Sequence, residues 1–203
     1  MPTARIEAFS DGVFAIVATV LVLELRVPVL TAPESSSALW PRLLAMSPLF
    51  LSYALSFGII CIWWVSHHHF FALLTRSTRT LLWLNCIFLF WLAFIPFPTA
   101  LLGNYPRNTL AVMTYGAVMT LAGVSFSAMR YYAFFVQPLV DPAIDRNLLT
   151  SAMRKSVSNP LLHLVAVLLA LVERRLAIAL YVLIPLAFIR TSLLEDRTFR
   201  RGE

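Results

Sequence analysis

Arg5, Ser10 and Asp11 stand at the head of an apolar run, Gly12 to Leu23, and three histidines, His67, His68 and His69, close another. Residues of these types support acid–base catalysis, metal ligation or a polar network that packs helices. Catalysis would need a second carboxylate inside the membrane to pair with Asp11, a nucleophile elbow, a His-Glu-x-x-His helix or a glycine-rich phosphate loop. The acids expected inside the membrane reduce to Asp11, and none of the motifs occurs. No enzyme is expected. Consecutive histidines on a helix point about 100° apart and do not converge on a metal. No Cys or His pair with ligand spacing accompanies them, and His163 is alone, so no metal site and no cofactor are expected. A packing network remains. A charge inside a membrane helix costs about 2.5–3.5 kcal/mol at mid-span, so Asp11 needs a donor. Trp64, His67, His68 and His69 end the second apolar run and Asn85 opens the third, at the same expected depth. Asp11 by itself would complement the positive end of its helix dipole, worth about 0.3–1 kcal/mol. With Arg5, Ser10 and the histidines at matching depth, a designed network is the fuller reading.

The elements that must position these residues are membrane helices. The chain has 203 residues, 60% hydrophobic and 13% charged, where soluble domains carry about 25% charged residues. Spanning helices need roughly 20 apolar residues each. Six are placed at about 6–27, 43–71, 81–102, 109–136, 155–172 and 176–189, forming one all-α membrane domain over 1–203. Pro41 and Pro48 mark entry to the second; Pro96, Pro98 and Gly103 mark the end of the third, and Pro138 follows the fourth. The last two are short, and Glu173, Arg174 and Arg175 between them form a tight hairpin turn; a single re-entrant hairpin is the competing topology. Met1 to Arg5 does not read as a cleavable signal, lacking a basic n-region and an Ala-x-Ala-like site. Cys61 and Cys86 lie inside spans, so a disulfide framework is not expected. Trp40, Trp63, Trp83 and Trp91 read as interface anchors or packing.

The net charge of +6 is spread between apolar runs rather than gathered on one face, which argues against nucleic acid and for topology. With both termini in the cytoplasm, Arg5, Arg76, Arg79, Arg130, Arg146, Arg154, Lys155, Arg190, Arg197, Arg200 and Arg201 fall inside. Arg26, Arg42, Arg107, Arg174 and Arg175 fall outside, and this imbalance favours that orientation. No internal repeat is visible.

At 100° per residue, the first span sorts into faces. Arg5, Phe9, Gly12, Ile16, Thr19, Val20, Leu23 and Val27 share one line. Asp11, Ala15, Ala18 and Val22 form a small face, suited to close packing against a neighbouring helix, with Asp11 buried there. Ser10, Phe14, Val17 and Leu21 form a third, bulkier face.

Arg5-x-x-x-Phe9-Ser10-Asp11, followed by Gly12-Val13-Phe14-Ala15-Ile16 and Thr19-Val20-Leu21-Val22-Leu23, resembles the signature of the transmembrane-protein-175 family of potassium channels. Trp64-x-x-His67-His68 with Phe71, then Asn85 and Pro96-Phe97-Pro98-Thr99-Ala100-Leu101-Leu102-Gly103, resemble its second and third helices. The resemblance covers about the first half of the chain. It implies a potassium-permeable cation channel without the usual filter loop, with potassium and other monovalent cations as the candidate permeants; the sequence has no Thr-Val-Gly-Tyr-Gly segment. A single six-span repeat implies the prokaryotic type: a homotetramer in the cell membrane, its first helix lining a central pore. By position, Ile16 is implied as the narrowest ring, Thr19 as a hydroxyl ring beside it, and Val20 and Leu23 as further apolar rings. Val20 departs from the larger Leu of some relatives. Arg5, Phe9, Ser10, Asp11, Trp64, His67, His68 and Asn85 are implied to hold the pore helix rather than touch ions. The main rival is a secondary transporter of a cation or small solute, which would want an inverted repeat, broken helices and a midplane polar site; of these, only Pro160 and Pro185 offer candidate breaks. A membrane protein with a purely structural role is the third reading.

Overall fold

A computed structural model describes residues 3–29 and 38–199, with side chains through 188. Arg200 and Arg201, and the side chains of Arg190 and Arg197, lie outside the described residues. Among these residues the chain forms eight α-helices: α1 (Ala4–Val20), α2 (Leu39–Ala45), α3 (Ser47–Ala72), α4 (Arg79–Phe94), α5 (Pro96–Asn104), α6 (Thr109–Tyr131), α7 (Arg146–Ala170) and α8 (Arg174–Phe199). A 3-10 turn, Leu21–Glu24, extends α1, and a π-helical turn, Tyr132–Val136, ends α6.

Helix starts follow local chemistry. Thr78, Asn108 and Asp145 turn their side-chain oxygens onto the free backbone N–H groups of α4, α6 and α7 at 2.9–3.3 Å. Pro48 sits in the first turn of α3 and Pro96 in that of α5, where no N–H is required. The two expected spans containing these prolines are therefore each built from two helices, broken at Met46 and at Ile95.

Five segments are long and apolar enough to cross a membrane: Ala4–Glu24, Ser47–Ala72, Arg79–Asn104, Thr109–Val136 and Arg146–Val172. The fifth begins at Arg146, nine residues before the expected 155, because Asp145 caps it and its polar first turns are still helical. The sixth expected span falls within α8, which returns along α7 after the turn at Leu171–Glu173. Glu173 shapes that turn by accepting from the Arg175 N–H at 3.0 Å.

α6 is the central packing element, lying along α7 and α4 and touching α5 and α8. Its glycines set the spacing. A Cβ on Gly116 would stand 2.0 Å from the Tyr181 hydroxyl, and one on Gly123 would stand 3.1 Å from the Pro160 ring. Pro160 has no N–H, so the Ser156 carbonyl loses its partner within α7. The Ser127 hydroxyl of α6 replaces it, donating at 2.9 Å. At one end of the bundle, Thr75 donates its N–H to the Leu139 carbonyl at 2.9 Å, tying the α3–α4 loop to the α6–α7 loop.

Candidate functional site

The three polar stretches singled out in the sequence meet where α1, α3 and α4 converge. Ser10, His67 and Asn85 are all buried there. The Asn85 amide donates to the Ser10 hydroxyl at 3.0 Å, and its carbonyl faces His67 Nε2 at 3.0 Å. An amide oxygen only accepts, so Nε2 carries the proton in that bond. Ser10 passes its own proton to the Ile6 carbonyl at 2.8 Å. The chain of donors therefore runs one way, from His67 through Asn85 and Ser10 to the backbone of α1. Aromatic rings hold His67 in place. Phe71 stacks on it at 4.4 Å, Phe88 lies parallel at 6.1 Å, and Phe14 of α1 meets it edge-on at 5.5 Å.

Asp11 is exposed in the protomer, not buried as expected, but it has its donor: Trp64 Nε1 lies 2.9 Å from its carboxylate. His68 is exposed and stacks on Trp64 at 6.4 Å. Arg5 and Phe9 are exposed and line a cleft of about 430 Å³ together with Asn85, Leu82 and Cys86. Among the described residues, no three His, Cys, Asp or Glu side chains gather as a metal set.

The packing face of α1 is a correction. The small face contributes little to seating the helix: Asp11 and Ala15 are exposed, Val22 is 47% exposed, and of the four residues on it only Ala18 packs partly buried against the core. The bulky face does: Ser10, Phe14, Val17 and Leu21 are all buried. Helix association in lipid rests on van der Waals contact and interhelical hydrogen bonds. Phe14 among the rings of α3 and α4, with Ser10 bonded to Asn85, supplies both; Ala18 adds a smaller contact and no hydrogen bond. The opposite line of α1 is left uncovered. Ile16 is 63% exposed, Val20 36% and Leu23 71%, and Thr19 lies open between them. Thr19 donates its hydroxyl proton back to the Ala15 and Ile16 carbonyls at 2.9 Å, so its oxygen faces outward as an acceptor.

A second buried relay escaped the sequence reading. The Tyr115 hydroxyl, the Ser56 hydroxyl and Thr99 Oγ1 lie 3.1 and 2.7 Å apart, and Thr99 ends on the Ile95 carbonyl at 2.8 Å. It joins α3, α5 and α6, 11 residues from His67 along α3, or about 16 Å at 1.5 Å per residue. Arg130 was also missed as a packing element. Its guanidinium lies 5.5–5.9 Å from the ring centres of Phe70, Phe126 and Phe134. The available signal was its position inside the fourth apolar run.

Compared with known proteins, the chain is 34% identical over 190 residues to a Streptomyces collinus protein named as a potassium channel, spanning 92% of this chain and 91% of that one. The chain belongs to the TMEM175 family. The family model described as endosomal/lysosomal potassium channel TMEM175 matches residues 5–96, the stretch that holds the Ser10–Asn85–His67 relay and the open line of α1. The crystal structure of a lysosomal potassium-selective channel TMEM175 homolog from Chamaesiphon minutus superposes with a TM-score of 0.83 at 33% identity, covering 94% of this chain and 97% of that one. The human TMEM175, named as an endosomal/lysosomal proton channel, is 35% identical over 114 residues, which cover 52% of this chain and 23% of the human protein.

Proposed function

We propose that this TMEM175 chain is a potassium-permeable cation channel of a prokaryotic cell membrane, with both termini cytoplasmic, and that four copies surround a pore lined by α1. The supporting observation is the two-sidedness of α1. One face is locked to α3 and α4 by packing and hydrogen bonds, while Ile16, Thr19, Val20 and Leu23 point away from the protomer. Around a four-fold axis these side chains form stacked rings, with Ile16 the narrowest. An apolar ring gates by dewetting, since a narrow greasy passage expels water and an ion entering it loses its hydration shell. The Thr19 oxygens form an acceptor ring beside it that partly replaces that shell. The charged and polar residues of the motif, Arg5, Ser10 and Asp11 with Trp64, His67, His68 and Asn85, position the helix rather than touch the ion. Correspondence over 92% of this chain and 91–93% of two bacterial relatives supports the single-repeat assembly.

Ile16→Asn tests the arrangement. In liposomes with a potassium gradient and a valinomycin control, the variant is expected to raise electrogenic flux and weaken the preference for potassium over sodium. Unchanged currents in a variant of intact assembly would remove Ile16 from the pore. Flux that requires a counter-substrate would favour the transporter instead.

A further inference from the structure

We propose that the groove between α6 and α7 is a binding site for an anionic glycerophospholipid. This groove, about 620 Å³, is lined by Tyr131, Phe135, Arg154, Val157, Ser158 and Leu161, among others. Among the described residues, Arg154 is the only charged one lining it. Arg154, Val157, Ser158 and Leu161 recur at three- and four-residue spacing, so they share one face of α7. Arg154 stands eight residues into α7, about 12 Å from its start, and Leu161 lies about 10 Å further along. On α7 the groove runs from Thr150 to Leu161, with Arg154 in the part nearer the helix start and Val157 and Leu161 beyond it, so its charge lies toward one end while apolar side chains make up most of its wall. That is the pattern of a phosphate joined to an acyl chain.

Charge complementarity selects the occupant. A guanidinium holds a phosphate through two parallel charge-assisted hydrogen bonds, and Tyr131 brings a phenolic hydroxyl to the same groove. An apolar helix seated there would cover Arg154 without a counter-charge, which is costly. A zwitterionic lipid carries its own cation and gains less from the site.

Lipid retention on the full chain tests the site without any reading of ion flux, so it stands or falls separately from the channel proposal. The chain purified in detergent is given phosphatidylglycerol or phosphatidylcholine and analysed by native mass spectrometry. Wild type is expected to retain phosphatidylglycerol preferentially. R154Q should lose about tenfold of that retention, the scale of one charge-assisted phosphate contact. V157W keeps every charge but fills the slot, and should lose it as well; it decides the matter if R154Q does not fold. R146Q, outside the groove, should retain lipid like wild type. Equal retention of the two lipids, full retention by folded V157W, equal loss in R146Q, or displacement of the lipid by glycerol phosphate alone would each overturn the proposal.

Discussion

At the scale of single residues, Asn85 joins two helices to a third with one planar group. It donates to Ser10 and accepts from His67, and neither neighbour has water to fall back on. Asn85→Leu would strand the His67 N–H, and an orphaned buried donor costs about 1–3 kcal/mol. Interhelical hydrogen bonds in membranes average nearer 0.6 kcal/mol, which sets the lower bound. We expect Asn85→Leu to cost about 1–2 kcal/mol, read as a lower melting temperature in detergent. Asp11→Asn keeps an acceptor for Trp64 at an exposed position and should shift melting by far less. The sequence exposes this joint because histidines and an asparagine are rare inside apolar runs and stand out. The Tyr115–Ser56–Thr99 relay was illegible for the opposite reason. Lone hydroxyls are common in membrane helices and routinely bond their own backbone, as Thr114 and Thr120 do here. Nothing in the spacing of 56, 99 and 115 says that they meet.

At the scale of elements, the helices of the first half were legible from apolar length and proline punctuation, and α7 was legible only in part. Its first turns, Arg146 to Arg154, are too polar to register as a span, yet the Asp145 cap and contact with α6 make them helical. The face by which α1 packs was misjudged because small residues signal close approach only where a partner helix lies opposite them. The rule succeeds on α6, where Gly116 and Gly123 do meet neighbours. Gly116→Ala must displace the Tyr181 hydroxyl from the Val112 carbonyl and push against Val167. Overpacking of this kind costs about 1–3 kcal/mol. Gly58→Ala has nothing within 4 Å to strike and gains about 1 kcal/mol of helix propensity. The two alanine variants should therefore move the melting temperature in opposite directions, Gly116→Ala down and Gly58→Ala up.

At the scale of the whole molecule, one protomer leaves the Ile16–Leu23 line of α1 uncovered, so in the proposed channel the pore geometry follows from stoichiometry. The proposed channel predicts a native mass of four chains in mild detergent. A stable monomer there would leave Ile16, Val20 and Leu23 facing lipid and end the pore assignment. The way the hydroxyls of α1 are satisfied also bears on how the protein is made. Ser10 donates to Ile6, and Thr19 to Ala15 and Ile16, all within the helix itself. On the ribosome α1 is synthesised some 60 residues ahead of Asn85. Because its hydroxyl protons already have acceptors, the helix can leave the translocon and wait in lipid. Asp11 gains its Trp64 donor when α3 is made, and Ser10 is then offered as an acceptor when α4 arrives. Insertion of the first helix is in this way uncoupled from assembly, and the polar joint that holds the mature protein together is no obstacle to its biogenesis.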